Sequence, residues 1–358
     1  MAKVSLPSLL KTMVEQGASD LHLSVGSPPQ YRIHGKMIKV KMDPLLSKDT
    51  EELAYSVITD SQKAEFEKHL ELDFSFGIKD LSRFRGNVFY QRGSIAAVFR
   101  RIPMVIPEFD SLKLPQILKS VIHRPNGLIL VTGATGSGKS TSLASMLDIL
   151  NREEVGHIIT IEDPIEFIHP HKGCVVNQRE VGVDTKGFAS SLKRVLRQDP
   201  DFVLVGEMRD METIESALTI AETGHLVFAT LHTNTAVQAI NRIVNVFPPH
   251  QQPQIRQSLS FTLQVVVSQQ LISKNNGTGR VLACEVLIPT LGIRNLIRED
   301  KIHHIYSAMQ SGQEETGMQT MNQALTSLVS QGVISKTTAI EHSFMQEELI
   351  KQLANMRG

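Results

Sequence analysis

The period of the hydrophobic positions changes along the chain and divides it into regions. Leu6, Leu9, Leu10, Met13 and Val14 recur at helical spacing in "SLPSLLKTMVEQ", which predicts a helix with one buried face. "SDLHLSV" then alternates Leu21, Leu23 and Val25, and "QYRIHGKMIKV" continues in strand style with Gly35 as a turn. An amphipathic helix is predicted over about 48–70, and "SRFRGNVFYQRGSIAAVFRRI" reads as two strands meeting near Gly93. Together these elements make a small α+β domain over residues 1–102. Pro103, Pro107 and Pro115 crowd the next stretch. Proline fixes φ and removes a donor, so residues 103–114 are expected to form an extended interdomain linker.

Beyond the linker, short apolar runs recur at 128–131, 158–161, 202–205 and 226–231, separated by helical patterns at 141–151, 187–198 and 211–223. Near-continuous apolar strands alternating with helices imply a mostly parallel sheet covered on both faces, here assigned to residues 115–270. Residues 271–358 read as mostly helical, with one β-like piece at "GRVLACEVLI" and a loop at "KNNGTG". The fold class is therefore α/β, with an α+β domain leading. No internal repeat or long low-complexity segment interrupts the pattern.

Composition narrows the classes. At 358 residues the chain is long enough for two or three domains with full cores. Lys+Arg and Asp+Glu balance at 37 each and aromatics reach only 5%, which argues against a phosphate-tracking, base-stacking groove and hence against nucleic acid as a partner. Two distant cysteines, Cys174 and Cys284, exclude a disulfide framework or a cysteine zinc site. No apolar run is long enough to span a bilayer, and the N-terminus is amphipathic with no signal-peptide pattern, so the chain reads as cytoplasmic.

The chemistry concentrates at the ends of the predicted strands. "GATGSGKST" follows the strand "GLILV" and matches GxxxxGK[ST] with a helix after it. In such a loop Thr135, Gly136, Ser137, Gly138, Lys139, Ser140 and Thr141 would surround a nucleoside triphosphate. Glycines turn backbone N–H groups toward phosphate, Lys139 neutralises the β and γ phosphates, and Ser140 ligates Mg²⁺. "DPDFVLVGEMRD" ends a buried strand on Glu207, placing that carboxylate near the magnesium and its water shell. "IITIEDPIEF" ends another on Glu162, Asp163 and Glu166, any of which can orient or deprotonate an attacking water. His225 opens and His232 closes a further strand, with His232 on the ligand side. Arg194 and Arg197 lie three apart on a predicted helix, and Arg83, Arg85, Arg92, Arg100 and Arg101 crowd the N-terminal strands; arginine's planar fork suits phosphate. "GIRNLIRED" places Ile293, Leu296 and Ile297 on one helix face and Arg294 and Arg298 on another.

"GATGSGKST", "IITIEDPIEF", "LRQDPDFVLVGEMRD" and "TGHLVFATLHT" together resemble the Walker A, Asp box, Walker B and His box of the secretion ATPase superfamily. "GASDLHL", "FRGNVFYQRG", "VNQREVG" and "GIRNLIRED" narrow the resemblance to the type IV pilus retraction ATPases of the PilT/PilU type, over about residues 5–330. The resemblance implies a PAS-like N-terminal domain, a RecA-like ATPase domain and a hexameric ring, with nucleotide between the two domains and an adjacent subunit completing the site. It implies that Glu166 activates the water, Glu207 acts around the magnesium and His232 stands near the γ-phosphate, with His225 as the earlier His-box residue. It associates Arg85, Arg100, Arg194 and Arg197 with phosphate, and makes ATP and Mg²⁺ the ligands. "GIRNLIRE" matches a motif needed for retraction in the family, with Gly292 in place of alanine. The implied partners are further copies of the chain, an inner-membrane pilus platform protein and a paralogous retraction ATPase, at the cytoplasmic side of that membrane. Three readings follow: a retraction motor or its accessory paralogue, a nucleic-acid translocase on the same core, and a nucleotide-gated adaptor of poor turnover.

Overall fold

The computed structural model describes residues 5–33, 35–79, 81–103, 105–311 and 316–355. Its contacts divide into two units. One takes in the chain up to Val105 together with Glu166–Ile168; the other takes in Ile106–Ile165 and the chain from His169 onward.

In the first unit, six strands form an antiparallel sheet in the order β3-β2-β1-β6-β5-β4. They are β1 Asp20–Leu23, β2 Gln30–Ile33, β3 Lys36–Lys39, β4 Glu71–Ile78, β5 Ser82–Gln91 and β6 Ser94–Ile102. Its core joins Leu21, Leu23, Phe74, Phe84, Val88 and Phe99 of the sheet with Leu6, Leu9, Leu10 and Met13 of helix α1, Leu6–Glu15. Arg92 and Gly93, both at positive φ, make the two-residue turn between β5 and β6. The single helix expected over 48–70 is two, α2 Ser47–Tyr55 and α3 Asp60–His69. The break is chemical: the Thr59 hydroxyl accepts the Gln62 N–H while the Gln62 side chain accepts the Thr59 N–H, a reciprocal cap that starts a new helix.

The second unit is built on a seven-stranded sheet in the order β13-β12-β7-β11-β10-β8-β9. Its strands are β7 Gly127–Thr132, β8 His157–Glu162, β9 Val175–Glu180, β10 Phe202–Val205, β11 Leu226–Leu231, β12 Leu263–Ser273 and β13 Arg280–Leu287. All neighbours run parallel except β13, which returns antiparallel to β12. Every residue of β7 and β11 is buried, as central strands covered on both faces must be. The helices are α4 Ile117–Ile122, α5 Lys139–Glu153, α6 Phe188–Val195, α7 Met211–Glu222, α8 Ala236–Asn245, α9 Gln252–Thr262, α10 Leu291–Arg298 and α11 Ile305–Gln310. Three more, α12 Met321–Ser330, α13 Lys336–His342 and α14 Gln346–Asn355, share a small core with Ile272, Val281 and Ala283.

Two expectations are corrected here. The division at 270/271 falls inside β12, a strand of the central sheet paired with β7, so the helical end of the chain does not begin there. Helix α9 passes directly into β12 without glycine or proline, which is why the sequence pattern hid the change. The helix expected over 187–198 ends at Val195, because Asp199 precedes Pro200 and sits at φ 52°, outside the helical region. Arg194 is therefore in the last turn of α6, and Arg197 lies beyond it in a turn closed by its N–H on the Arg194 carbonyl.

Candidate nucleotide site

Parallel register brings four strand ends together. Leu231 of β11 stands opposite Thr132 of β7, and Val205 of β10 stands opposite Ala229 of β11 and Ile161 of β8. The loops that follow these ends carry the sequence-assigned residues of the P-loop, the Asp box, Glu207 and His232.

The P-loop leaves β7 through Gly133 and enters α5 through Gly138, with φ of 143° and 92°. A Cβ on Gly133 would lie 2.5 Å from the Gln269 carbonyl oxygen and 2.6 Å from Ser137 Oγ, so only glycine fits this bend. Lys139 begins α5 and is only 9% exposed; its Nζ donates to the carbonyls of Gly133 at 2.9 Å and Ala134 at 3.2 Å. The buried Ser137 Oγ has no hydrogen-bond partner. Thr135 and Gly136 are exposed, while Ser140 and Thr141 are half-buried in the first turn of α5. The positive end of a fifteen-residue helix thus opens on a loop holding a ready cation and an unused hydroxyl, the arrangement an anionic phosphate requires. Strands β12 and β13 back this loop: Leu271 lies against Gly138, and Arg280 Nη1 reaches the Gly136 carbonyl at 3.5 Å.

Glu207 leaves β10 through Gly206, whose N–H donates to the Ile161 carbonyl at 2.8 Å and whose carbonyl accepts from Thr230 Oγ1 at 2.5 Å. No side chain fits at Gly206 without pressing on Glu162 Cα and the Ile161 carbonyl, each 3.1 Å from a Cβ there. The Glu207 carboxylate pairs with His232 Nε2 at 3.2 Å and Arg209 Nη2 at 2.7 Å. Burial disfavours its charge, but the Arg209 hydrogen bond and the electrostatic interactions with His232 and Arg209 outweigh that and hold its pKa below the ordinary value. Arg209 escaped the sequence reading; its only signal there is a cation two residues after the Walker B glutamate.

The Asp box is fastened by β9, an edge strand the apolar pattern also hid. Gln178 donates to Glu162 Oε1 at 3.2 Å and accepts the His169 N–H at 2.8 Å, and Glu180 Oε2 accepts the Ile165 N–H at 3.3 Å. Glu162 also accepts from Thr160 Oγ1 at 2.6 Å. Asp163, joined to Pro164 by a cis peptide, and Glu166 are both exposed. Of the three acids, Glu162 is the one tied into the strand ends.

The remaining sites are dispersed. His225 lies at the start of β11, the opposite end of that strand from His232, with Nδ1 3.2 Å from the Ile220 carbonyl. Arg85 and Arg100 are register partners on β5 and β6, both exposed; Arg100 Nε donates to the buried Asp20 at 2.8 Å, and Arg85 Nη2 lies 3.7 Å from Asp73. Arg194 and Arg197 are exposed and have no ion-pair partner among the described residues. In α10, Ile293 and Ile297 are buried, and Arg294 Nη1 donates to the carbonyls of Ser260 at 2.5 Å and Phe261 at 2.9 Å, closing the C-terminus of α9. A Cβ on Gly292 would meet Thr290 Oγ1 at 3.8 Å, an ordinary contact, so alanine would fit there.

A parallel sheet with a P-loop on a central strand and a carboxylate–histidine pair at the ends of the next two strands, β10 and β11, defines a P-loop nucleotide-binding core of the RecA-like kind. The sequence profile of the Type II/IV secretion system protein family matches residues 3–351, and the chain belongs to that family. It is 51% identical to the "Type IV pilus retractation ATPase PilT" of Pseudomonas aeruginosa, over 96% of this chain and 99% of that one. It is 43% identical to the "Type IV pilus ATPase PilU" of the same organism, over 95% and 89% of the two chains. The fold matches a crystal structure of the pilus retraction motor PilT with bound ADP at a TM-score of 0.92 and 53% identity, covering 97% of this chain and 99% of that one. It also matches the Legionella pneumophila ATPase DotB at 0.78 and 26%, over 95% and 96%. No described helix is long and apolar enough to cross a membrane.

Proposed function

We propose that the protein is an ATP-hydrolysing motor that drives retraction of a type IV pilus, working as a homohexamer on the cytoplasmic face of the inner membrane against a pilus platform protein. The observation that carries the ATPase reading is the P-loop, with Lys139 folded onto the Gly133 and Ala134 carbonyls at the strand ends that also bear Glu207 and His232. The pilus assignment rests on near-full-length similarity to PilT, and the higher identity to PilT than to PilU supports the principal motor over the accessory paralogue, which is proposed as a partner.

Binding of the triphosphate would move the Lys139 ammonium from its two carbonyls to the β and γ phosphates, and give the unpartnered Ser137 hydroxyl an acceptor. The donor set fits Mg²⁺: the Ser140 hydroxyl and the Glu207 carboxylate are hard oxygen ligands, and a magnesium ion is held by few protein oxygens with water completing its shell. When bound, that ion would supply charge neutralisation at the phosphates. Glu166 is proposed to take the proton of the water whose oxygen attacks the γ phosphorus, as ADP leaves. His232 is proposed to report on the γ-phosphate through its contact with Glu207. Arg85, Arg100, Arg194 and Arg197 are proposed as cations answering phosphate, the last two within the assembled ring.

The test is complementation of a retraction-deficient strain that still assembles pili. The intact chain should restore twitching, and Glu166→Gln should not, while still binding ATP. Restored twitching with Glu166→Gln would refute the proposed role of hydrolysis.

A further inference from the structure

Glu285 lies in the middle of β13 and is only 2% exposed. Its Oε1 accepts the N–H of Ala236 at 2.7 Å, and its Oε2 accepts the N–H of Met321 at 3.4 Å. These are the first helical residues of α8 and α12, so one carboxylate meets the positive ends of two helices. Neither helix depends on it for a conventional cap. Thr235 caps α8 by accepting the Gln238 N–H, and Thr320 caps α12 by accepting the Gln323 N–H. A buried carboxylate is costly, and burial pushes its pKa up against the two N–H bonds that pull it down. Its presence calls for a purpose beyond capping.

The connections supply one. Ala236 follows His232 by four residues, and the Asn234 N–H donates to Gln238 of α8 at 3.2 Å. The turn that carries His232 is thereby anchored at its far end on Glu285. Across the sheet, Glu285 is the register partner of Ser268, whose hydroxyl lies 2.8 Å from that of Thr132, the last residue before the P-loop. On the other side, Gln319 bridges to Val286 through two backbone bonds of 2.8 and 3.1 Å and donates its side-chain amide to the Cys284 carbonyl at 2.7 Å. The chain entering α12 is thus pinned to the same strand.

We propose that Glu285 is a positioning residue for ATP hydrolysis: through the N-terminus of α8 it holds His232 against Glu207, and through α12 it ties the C-terminal helices to that setting. The inference rests on the ATPase reading above. Replacing Glu285 by Gln leaves an amide that can accept from one helix N–H and opposes the other.

The experiment measures kcat and KM for ATP, ADP affinity and melting temperature on the full chain, for Glu285→Gln, His232→Gln and the double variant. The expected result is a kcat reduced about fivefold or more by Glu285→Gln, with KM and ADP affinity within about twofold of the parent. In the His232→Gln background the same change should alter kcat by less than about twofold, because residues acting as one unit are not additive. Ala236→Pro removes the α8 donor at a first helical position where proline's φ is tolerated. Ala236 is buried, so its melting temperature is compared with that of Ala236→Val, which adds bulk but keeps the N–H. Only the proline variant should reproduce the kcat loss, even if Glu285→Gln does not fold. Equal losses in both backgrounds, an unchanged kcat, or a loss expressed in KM would overturn the inference. Absence of hydrolysis in the parent chain would instead overturn the ATPase reading.

Discussion

His232 Nε2 stands 3.2 Å from Glu207 Oε1, joining the C-terminal ends of the adjacent parallel strands β10 and β11. The same carboxylate accepts Arg209 with its other oxygen, so its charge is fixed from two sides before any nucleotide arrives. A group held this way can trade partners when a phosphate or a metal-bound water comes near, which makes the pair suited to reporting the state of the site.

The first prediction concerns that pair. Glu207→Gln keeps the shape but removes the charge, and kcat should fall on the order of 10²-fold while ADP affinity stays within severalfold. Arg209→Ala should shift the acidic limb of the pH–rate profile upward, since the cation that holds the Glu207 pKa down is gone. Stopped-assay phosphate release across pH measures both.

Gly133→Ala should cost nucleotide binding. The added methyl collides with the Gln269 carbonyl and Ser137 Oγ, at a backbone angle that a side chain rarely adopts. Titration with fluorescent ADP should show affinity lowered at least about tenfold; the equivalent change at Gly292, where a Cβ makes only an ordinary contact, should leave it unaltered.

His169 is buried with Nδ1 unpartnered, and burial lowers its pKa from 6.5 to about 4, with Asp148 raising it and Lys172 lowering it further. The unfolded chain takes up this proton as pH falls through 6.5, whereas the folded chain resists until about 4. Stability from this group is therefore complete above 6.5 and is lost between 6.5 and 4, on the order of 3 kcal/mol in all. Melting curves across this window should be steeper in pH for the parent than for His169→Gln.

Arg294 links the "GIRNLIRE" helix to the end of α9, which leads into β12 beside the P-loop strand. Arg294→Ala leaves two helix-terminal carbonyls without their charged donor and should destabilise the fold by about 2 kcal/mol. Arg294→Lys, which cannot copy the planar fork, should recover only part of that. Thermal or urea unfolding measures the difference.

How much of this was legible in the sequence follows from which residues face water. Strands β7, β8, β10 and β11 are buried on both faces, and their apolar runs marked them within one residue. Strand β9 lies at a sheet edge with polar Asn177, Gln178 and Arg179 in its span, so it carried no such run, and with it the Asp-box fastening by Gln178 stayed hidden. Strand β12 was masked by the helix that flows into it. The P-loop and Glu207 announced themselves because their chemistry requires particular residues in a fixed local order. Arg209 and Glu285 act through contacts set by folding, and a lone charge in "GEMRD" or in the apolar "LACEVL" does not name its partner.

The most direct test of the account is steady-state phosphate release from ATP by the full chain beside Lys139→Ala and Glu166→Gln. Lys139→Ala should lose both tight nucleotide binding and turnover, and Glu166→Gln should bind ATP yet release phosphate at least about 10²-fold more slowly than the parent. Parental turnover by either variant would contradict it.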